Sequence, residues 1–323
     1  MLMKSLGAAA LGLVLSATSV LADLPVLHVA ALKSGTVNWE LSTITANGFD
    51  RENGFVLEVQ DMAGNSASQV AFQAGEADAI VSDWLWVARQ RAAGDDFVFI
   101  PYSKAVGGLM VPGNSPAQTL ADLKGGKIGV AGGPLDKSWL ILRAFAQKEY
   151  GMDLQGETEQ VFGAPPLIFQ TAVSGELDGA INFWHFMAKM EAGGMRTLVT
   201  VADASEALGL DPDTPLLGYV IRGEMLRDQP ELATGLARAS QEAKELLATS
   251  DAAWDALRPQ MHAANDTEFE ALKAGFRAGI PAAAPVDVAA ADRMLRLMAE
   301  LGGPDLVGDM DALPDGVFVQ PGS

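Results

Sequence analysis

The chain has no cysteine in 323 residues. That excludes disulfides, thiol catalysis and a lipid-bearing cysteine behind a leader peptide. Histidine is almost as scarce: His28, His185 and His262 sit on separate stretches, so neither a histidine metal site nor a Ser-His-Asp triad is expected. No G-x-S-x-G or H-E-x-x-H pattern occurs, and Gly125-Gly126-Lys127 lacks the upstream glycine spacing of a phosphate-binding loop. Catalytic residues, metals and cofactors are therefore not expected. Basic side chains number 22 against 41 acidic ones, a net charge of −19, which leaves no basic stripe for nucleic acid. No uninterrupted apolar run reaches the roughly 18 residues of a membrane-spanning helix.

What is present begins with a leader. Lys4, the apolar run Leu6 to Leu15, and Val20-Leu21-Ala22 read as a secretory signal peptide over residues 1–22, with the mature chain starting at Asp23. The remaining 300 or so residues can bury a sufficient core without crosslinks.

A thirteen-residue stretch then recurs one hundred positions later without a gap. Residues 74–86, Ala-Gly-Glu-Ala-Asp-Ala-Ile-Val-Ser-Asp-Trp-Leu-Trp, align with 174–186, Ser-Gly-Glu-Leu-Asp-Gly-Ala-Ile-Asn-Phe-Trp-His-Phe. Gly, Glu, Asp and Trp are identical. Each copy reads as a helix end, a Gly-Glu-x-Asp turn, a short apolar strand, and polar or aromatic residues at the strand's carboxyl end, where ligands sit in open α/β sheets. Two lobes on one plan are the expectation, with Trp84 and Trp184 facing each other across a cleft.

Around the repeat, short apolar runs alternate with helical stretches. Strands are expected at Leu27 to Leu32, Phe55 to Gln60, Ile128 to Ala131 and Thr197 to Val201, with helices after Lys33 to Trp39, after Gly64 to Ser68 and after Gly132 to Trp139. Strand-helix-strand at this spacing means parallel β. Val106 to Val111 and Leu217 to Ile221 suit crossings between lobes. From Asp228 the pattern is helical, at Pro230 to Ala248, Asp251 to His262, Thr267 to Ala278 and Val286 to Leu301, and these helices are expected on the first lobe. The tail from Gly302 reads as loop.

In their serial order, the leader, Lys33-Ser34-Gly35-Thr36, Gly75-Glu76-Ala77-Asp78, Leu120 to Val130 and Ser174-Gly175-Glu176-Leu177-Asp178 resemble the periplasmic substrate-binding proteins of ABC importers. The similar branch is the SsuA/THI5-like (NMT1-like) one, which binds sulfonates, taurine, nitrate and thiamine precursors. The resemblance spans roughly Leu24 to Glu245. It implies an α/β fold of two lobes, the type II-like periplasmic binding protein fold, with two crossings between lobes and a ligand enclosed on closure. Lobe 1 would comprise 23–103 plus 218–323, and lobe 2 would comprise 104–217, with sparse contacts across the boundary. The partners it implies are a small-molecule ligand and the permease and ATPase of an importer, for a monomer located in the periplasm. Some relatives are thiamine-pyrimidine enzymes with a cysteine-rich motif, which this chain lacks. An enzyme on the same fold and a ligand-sensing partner of a receptor remain as alternatives.

The candidate ligand-binding residues come from strand ends. Ser34, Gly35 and Thr36 offer hydroxyls and backbone N–H groups to an oxyanion or carbonyl, or form an ordinary turn. Trp39 lines the cleft or buries in the lobe. Asn65 and Ser66 cap a helix or bind. Asp83 is a partner for an amine, or a helix cap. Lys137 and Ser138 stand at a helix start, where an anionic group could be met, although a surface lysine is the plainer reading. From the second repeat come Asn182, Trp184 and His185, the last as a donor or as a satisfied half-buried histidine. Trp84 and Trp184 would sandwich a flat ring or a cation. A zwitterion would satisfy both the Asp83 and the Lys137 ends.

Overall fold

The computed structural model describes residues 24–320; the expected leader, 1–22, lies outside them. Ten strands are formed among the described residues: β1 (Val26–Leu32), β2 (Val56–Met62), β3 (Ala79–Asp83), β4 (Phe97–Ser103), β5 (Gly108–Pro112), β6 (Lys127–Ala131), β7 (Glu159–Gly163), β8 (Gly179–Asn182), β9 (Met195–Thr200) and β10 (Leu217–Arg222). They make two five-stranded sheets, in the orders β2-β1-β3-β10-β4 and β7-β6-β8-β5-β9. The molecule is two-lobed and mixed α/β.

The helices between strands make three neighbouring strands of each sheet parallel. β1 pairs parallel with β2 and β3, and β6 pairs parallel with β7 and β8. The sequence does not anticipate what the crossings do. β10 returns from the second lobe and inserts antiparallel between β3 and β4, while β5 arrives from the first lobe and inserts antiparallel between β8 and β9. Each crossing thus ends as an internal strand. Both are rich in buried residues, as a strand covered on both faces requires.

The repeat has a structural cause. Gly75 and Gly175 both take left-handed conformations, φ +80° and +82°, which glycine adopts at no steric cost. The repeated aspartates then hold the neighbouring strand. The Asp78 N–H donates to the His28 carbonyl at 2.9 Å while its Oδ2 accepts from the His28 N–H at 2.8 Å. Asp178 makes the same reciprocal pair with Lys127, at 2.9 and 2.7 Å. Both motifs register the repeat strand against the strand beside it.

Side-chain alternation splits the first sheet. Leu27, Val29 and Ala31 face one layer, with Trp39, Leu41 and helices from 230 onward; Ala30 and Ile80 face the other, with Phe72 and Trp84. The second sheet divides likewise. Ile128 and Val130 face Trp139 to Leu142, whereas Ala131 and Ala180 face Ile168 and Met190.

The C-terminal helices differ from the sequence reading in reach. Pro230–Thr249 and Asp251–Met261 pack on the first-lobe helix Val37–Asn47, whereas Asp266–Ala278 also packs on Trp184–Ala192 of the second lobe. Val288–Val307 contacts Trp84–Ala92 and Lys137–Tyr150 together. Its Ala291, Met294, Leu295 and Met298 join residues of both lobes in one continuous apolar cluster, so contacts across the lobe boundary are not sparse. The region after Gly302 is not simple loop either. Gly303 (φ +60°) breaks the helix and a further turn buries Leu306 and Val307. The tail then pairs with β4, the Phe99 N–H donating to the Val317 carbonyl at 2.7 Å.

Candidate ligand-binding site

Between the two sheets lies a cavity of about 240 Å³, the size class of a small organic molecule. Five helices begin at its wall: Val37–Asn47, Asn65–Gln73 and Trp84–Ala92 from the first lobe, Lys137–Tyr150 and Trp184–Ala192 from the second. The fold forces this convergence. Each follows a strand whose carboxyl end points into the gap, so each helix opens there.

Their caps divide them. Asp83 Oδ1 accepts from the Trp86 N–H at 2.9 Å, and Asp136 Oδ1 accepts from the Trp139 N–H at 3.0 Å. Among the described residues no side chain caps the starts of Val37–Asn47, Asn65–Gln73 or Trp184–Ala192. The first N–H groups of a helix have no partner within it. Backbone carbonyls already take the Asn38, Trp39, Ala67 and Phe186 N–H groups, so each helix offers only its first one or two N–H groups, at the positive end of its dipole, to an oxyanion.

Charge is arranged against these donors on another wall. Lys137 Nζ reaches across from the second lobe to Asp83 Oδ2 of the first, 2.9 Å away. Asp136 stands beside them. Burial pushes its carboxyl above the usual range, opposed by the Trp139 N–H and by Lys137. The Lys137 ammonium pairs with Asp83 and reaches Asp136 only through its field. An additional nitrogen cation could be accepted on this side, so the site has one pole for each charge.

His185 is neutral at physiological pH. Burial, and then the charge of Lys189, depress its pKa to about 4. Its Nδ1 is buried without a hydrogen-bond partner among the described groups, and the residue lines the cavity. A neutral imidazole can donate from one nitrogen and accept at the other. Because the folded pKa lies below the ordinary 6.5, the unfolded chain binds more protons between about pH 4 and 6.5. The contribution of His185 to stability is therefore present above that window and lost as pH falls through it. We expect the unfolding free energy to rise with pH across this window, and His185→Gln to flatten that part of a urea-unfolding series. An unchanged slope in the variant would show that His185 is not the titrating group.

Eight of the thirteen sequence candidates line the cavity: Gly35, Thr36, Asn65, Asp83, Lys137, Ser138, Trp184 and His185. The other five lie elsewhere. Ser34, in its turn, and Ser66, in the first turn of the helix Asn65–Gln73, are exposed and form no part of the lining. Asn182 is buried and committed to backbone, donating to the Pro165 carbonyl at 3.0 Å and accepting from the Phe183 N–H at 2.9 Å. Trp39 forms a second row, its ring edge-on to Trp184 at 6.0 Å and to Trp254 at 5.9 Å.

Trp84 is the main correction. The expected pair of facing indoles does not form. Trp84 is fully buried and packs against Phe318 of the C-terminal tail at 5.7 Å, so it has no surface to offer a ligand. Trp184 alone lines the cavity. Its indole is seated on the helix Asp266–Ala278, where a Cβ at Gly275 would stand 2.6 Å from Cε3. Tyr102, Asp136 and Phe183 also line the cavity without having been singled out in the sequence. Phe183 had a signal: it occupies the Asp83 register of the second repeat.

Behind Tyr102 is a buried polar cluster. Glu40 Oε1 accepts from Tyr219 Oη at 2.8 Å, Ser240 Oγ at 2.6 Å and Lys244 Nζ at 3.2 Å. The Lys244 ammonium lies 5.1 Å over the Tyr102 ring. Burial pushes Lys244 below the usual lysine range, with Glu40 opposing the shift. The cluster ties the uncapped helix Val37–Asn47 to Pro230–Thr249.

Comparison with known proteins agrees with this architecture. Residues 43–252 match the family model described as NMT1/THI5 like. The chain belongs to the NMT1/THI5-like family. The family region includes Asn65, Asp83, Lys137 and Trp184 and ends before the last helices. Among solved structures, the periplasmic aliphatic sulphonate binding protein SsuA from Escherichia coli superposes with a TM-score of 0.71 at 18% identity, covering 92% of each chain. The alkanesulfonate-binding protein SsuA from Xanthomonas axonopodis pv. citri, bound to MOPS, gives 0.67 at 15%, covering 92% of this chain and 99% of that one. A mutant of DSZB in complex with biphenyl-2-sulfinic acid gives 0.58 at 16%, covering 91% and 97%. At these identities the neighbours establish the fold. No curated protein matches the chain.

Proposed function

We propose that this protein is the periplasmic solute-binding component of an ABC importer, exported through residues 1–22, acting as a monomer and handing its ligand to a permease and ATPase. In this reading lobe 1 is 23–103 plus 218–323 and lobe 2 is 104–217. The observation that carries it is the convergence of five helix starts, drawn from both sheets, on one cavity. The ligand is a small organic molecule with an acidic group at the uncapped helices, an apolar or flat body against Trp184, Phe183 and Tyr102, and, where it is zwitterionic, a nitrogen cation toward Asp83 and Asp136. Family membership and the SsuA-like fold support the transport role.

A DSZB structure on the same fold keeps an enzyme in view as the competing reading. A general base works best with a pKa near the working pH, and His185 sits at about 4. Mass spectrometry of small molecules released from the purified full-length protein tests the proposal. The expected result is an acidic organic ligand, recovered unchanged after incubation, that raises the melting temperature when added back. Conversion of that ligand to a product would overturn the binding-protein reading.

A further inference from the structure

Among the described residues two ion pairs join the lobes, on different helices and with the same polarity. Lys137, at the first position of Lys137–Tyr150, reaches Asp83 at the end of β3. Lys189, in the last turn of Trp184–Ala192, reaches Glu268 on Asp266–Ala278 at 2.7 Å and also donates to the His262 carbonyl at 3.3 Å. That C-terminal helix belongs to the first-lobe side, because its Phe276 ring packs on Trp39 at 6.1 Å and on Tyr102 at 6.4 Å. Both lysines therefore come from the second lobe and both carboxylates from the first. The two lysine-bearing helices lie on opposite faces of the second sheet, since Leu140 and Ile141 face the Ile128–Val130 layer and Met190 faces the Ala131–Ala180 layer. One pair ties each side.

The placement of Lys137 is costly unless it has this partner. A cation at the first position of a helix stands at the positive end of the dipole. Asp83 and Asp136 offset that penalty, and only Asp83 does so from the opposite lobe. The Asp83–Lys137 pair also forms part of a second wall: both residues line the main cavity and a smaller outer pocket with Gln69, Arg89 and Leu306. It lies between the ligand space and the surface. Trp184, seated against Gly275 and Trp39, would have to leave that seat when the lobes part.

We infer that the Asp83–Lys137 and Lys189–Glu268 pairs are interlobe ties that favour the closed arrangement of the lobes, so that closure is governed by these four charges as well as by ligand. The inference rests on the two-lobed binding reading but not on the identity of the ligand. Four side chains carry it. Partly buried pairs of this kind are attractive over a few ångströms and are screened by salt much less than exposed ones.

The absence of native cysteine makes the test clean. Cysteines replacing the exposed Val70 on the first lobe and Leu167 on the second accept spin labels at two sites only. Distance distributions are then measured on the full chain, refolded from denaturant to strip bound molecules. The expected result is a short-distance population that falls about three- to tenfold in Lys137→Met/Lys189→Met, is kept in Lys137→Arg/Lys189→Arg, and falls much less in the parent at about 1 M salt, because partly buried pairs are weakly screened. Asp83→Asn should act like Lys137→Met, since asparagine still caps the helix while the charge is lost. Asp83→Asn leaves both lysines in place, so a poorly folding lysine variant does not block the test. Identical distributions in every variant and at every salt concentration would overturn the ties. Opening by salt without opening by substitution would overturn their assignment to these four residues. Either outcome leaves the importer reading to its own mass-spectrometric test.

Discussion

Lys244→Met should lower the unfolding free energy by about 3 to 5 kcal/mol, because it leaves the Glu40 carboxylate buried without its counter-charge. Glu40 is fully buried and Lys244 nearly so. Tyr219 and Ser240 would still donate to Oε1, but two neutral hydrogen bonds do not replace an ammonium. Adding Glu40→Gln to Lys244→Met should recover most of the loss at neutral pH, since removing both charges of a buried pair is far less damaging than removing one. Urea unfolding followed by tryptophan fluorescence measures all three proteins. A single variant within about 1 kcal/mol of the parent would show that the pair carries no such burden.

The two repeat tryptophans should separate in experiment. Trp84→Ala removes a fully buried indole from the cluster shared by both lobes and should cost about 3 to 5 kcal/mol of stability, with little effect on the affinity of folded protein. Trp184→Ala should weaken binding of the co-purified ligand by about 1 to 3 kcal/mol, through lost stacking and burial, and destabilise the fold less. Calorimetric titration paired with thermal unfolding distinguishes them. Equal affinity losses in both variants would restore the facing-indole arrangement that the structure does not contain.

That contrast marks what a sequence can and cannot convey. The repeat correctly marks two equivalent turn-strand-helix units, because Gly75 and Gly175 need the same backbone angle and Asp78 and Asp178 grip the neighbouring strand in the same way. Those are local requirements, written within a few residues. Where each indole points is not local. It depends on Phe318 in one copy and on Gly275 and Trp39 in the other, all distant in sequence.

The same reasoning explains the other differences. Thr36, Asp83 and Lys137 were legible as strand-end residues, since sheet topology brings such ends together. Tyr102 was not, because its role depends on Glu40 and Lys244 packing behind it. The antiparallel insertion of β5 and β10 was also hidden, since apolar runs have no direction. The reach of the last two helices across both lobes depends on which groove receives them, and their own amphipathic pattern is silent on that point.

The insertion of β10 sets an order of events during folding. The second sheet draws all its strands from residues 108–200, a continuous stretch, whereas the first cannot be completed until residues 217–222 slot between β3 and β4. A chain emerging from its amino terminus therefore presents β1 to β4 first and must keep them waiting, with the apolar flanks of Ile80 and Phe99 exposed, while more than a hundred further residues appear. The lobe that begins first finishes last. Its half-built edge, between β3 and β4, is the stretch most open to mispairing and the one a holding chaperone would be expected to cover.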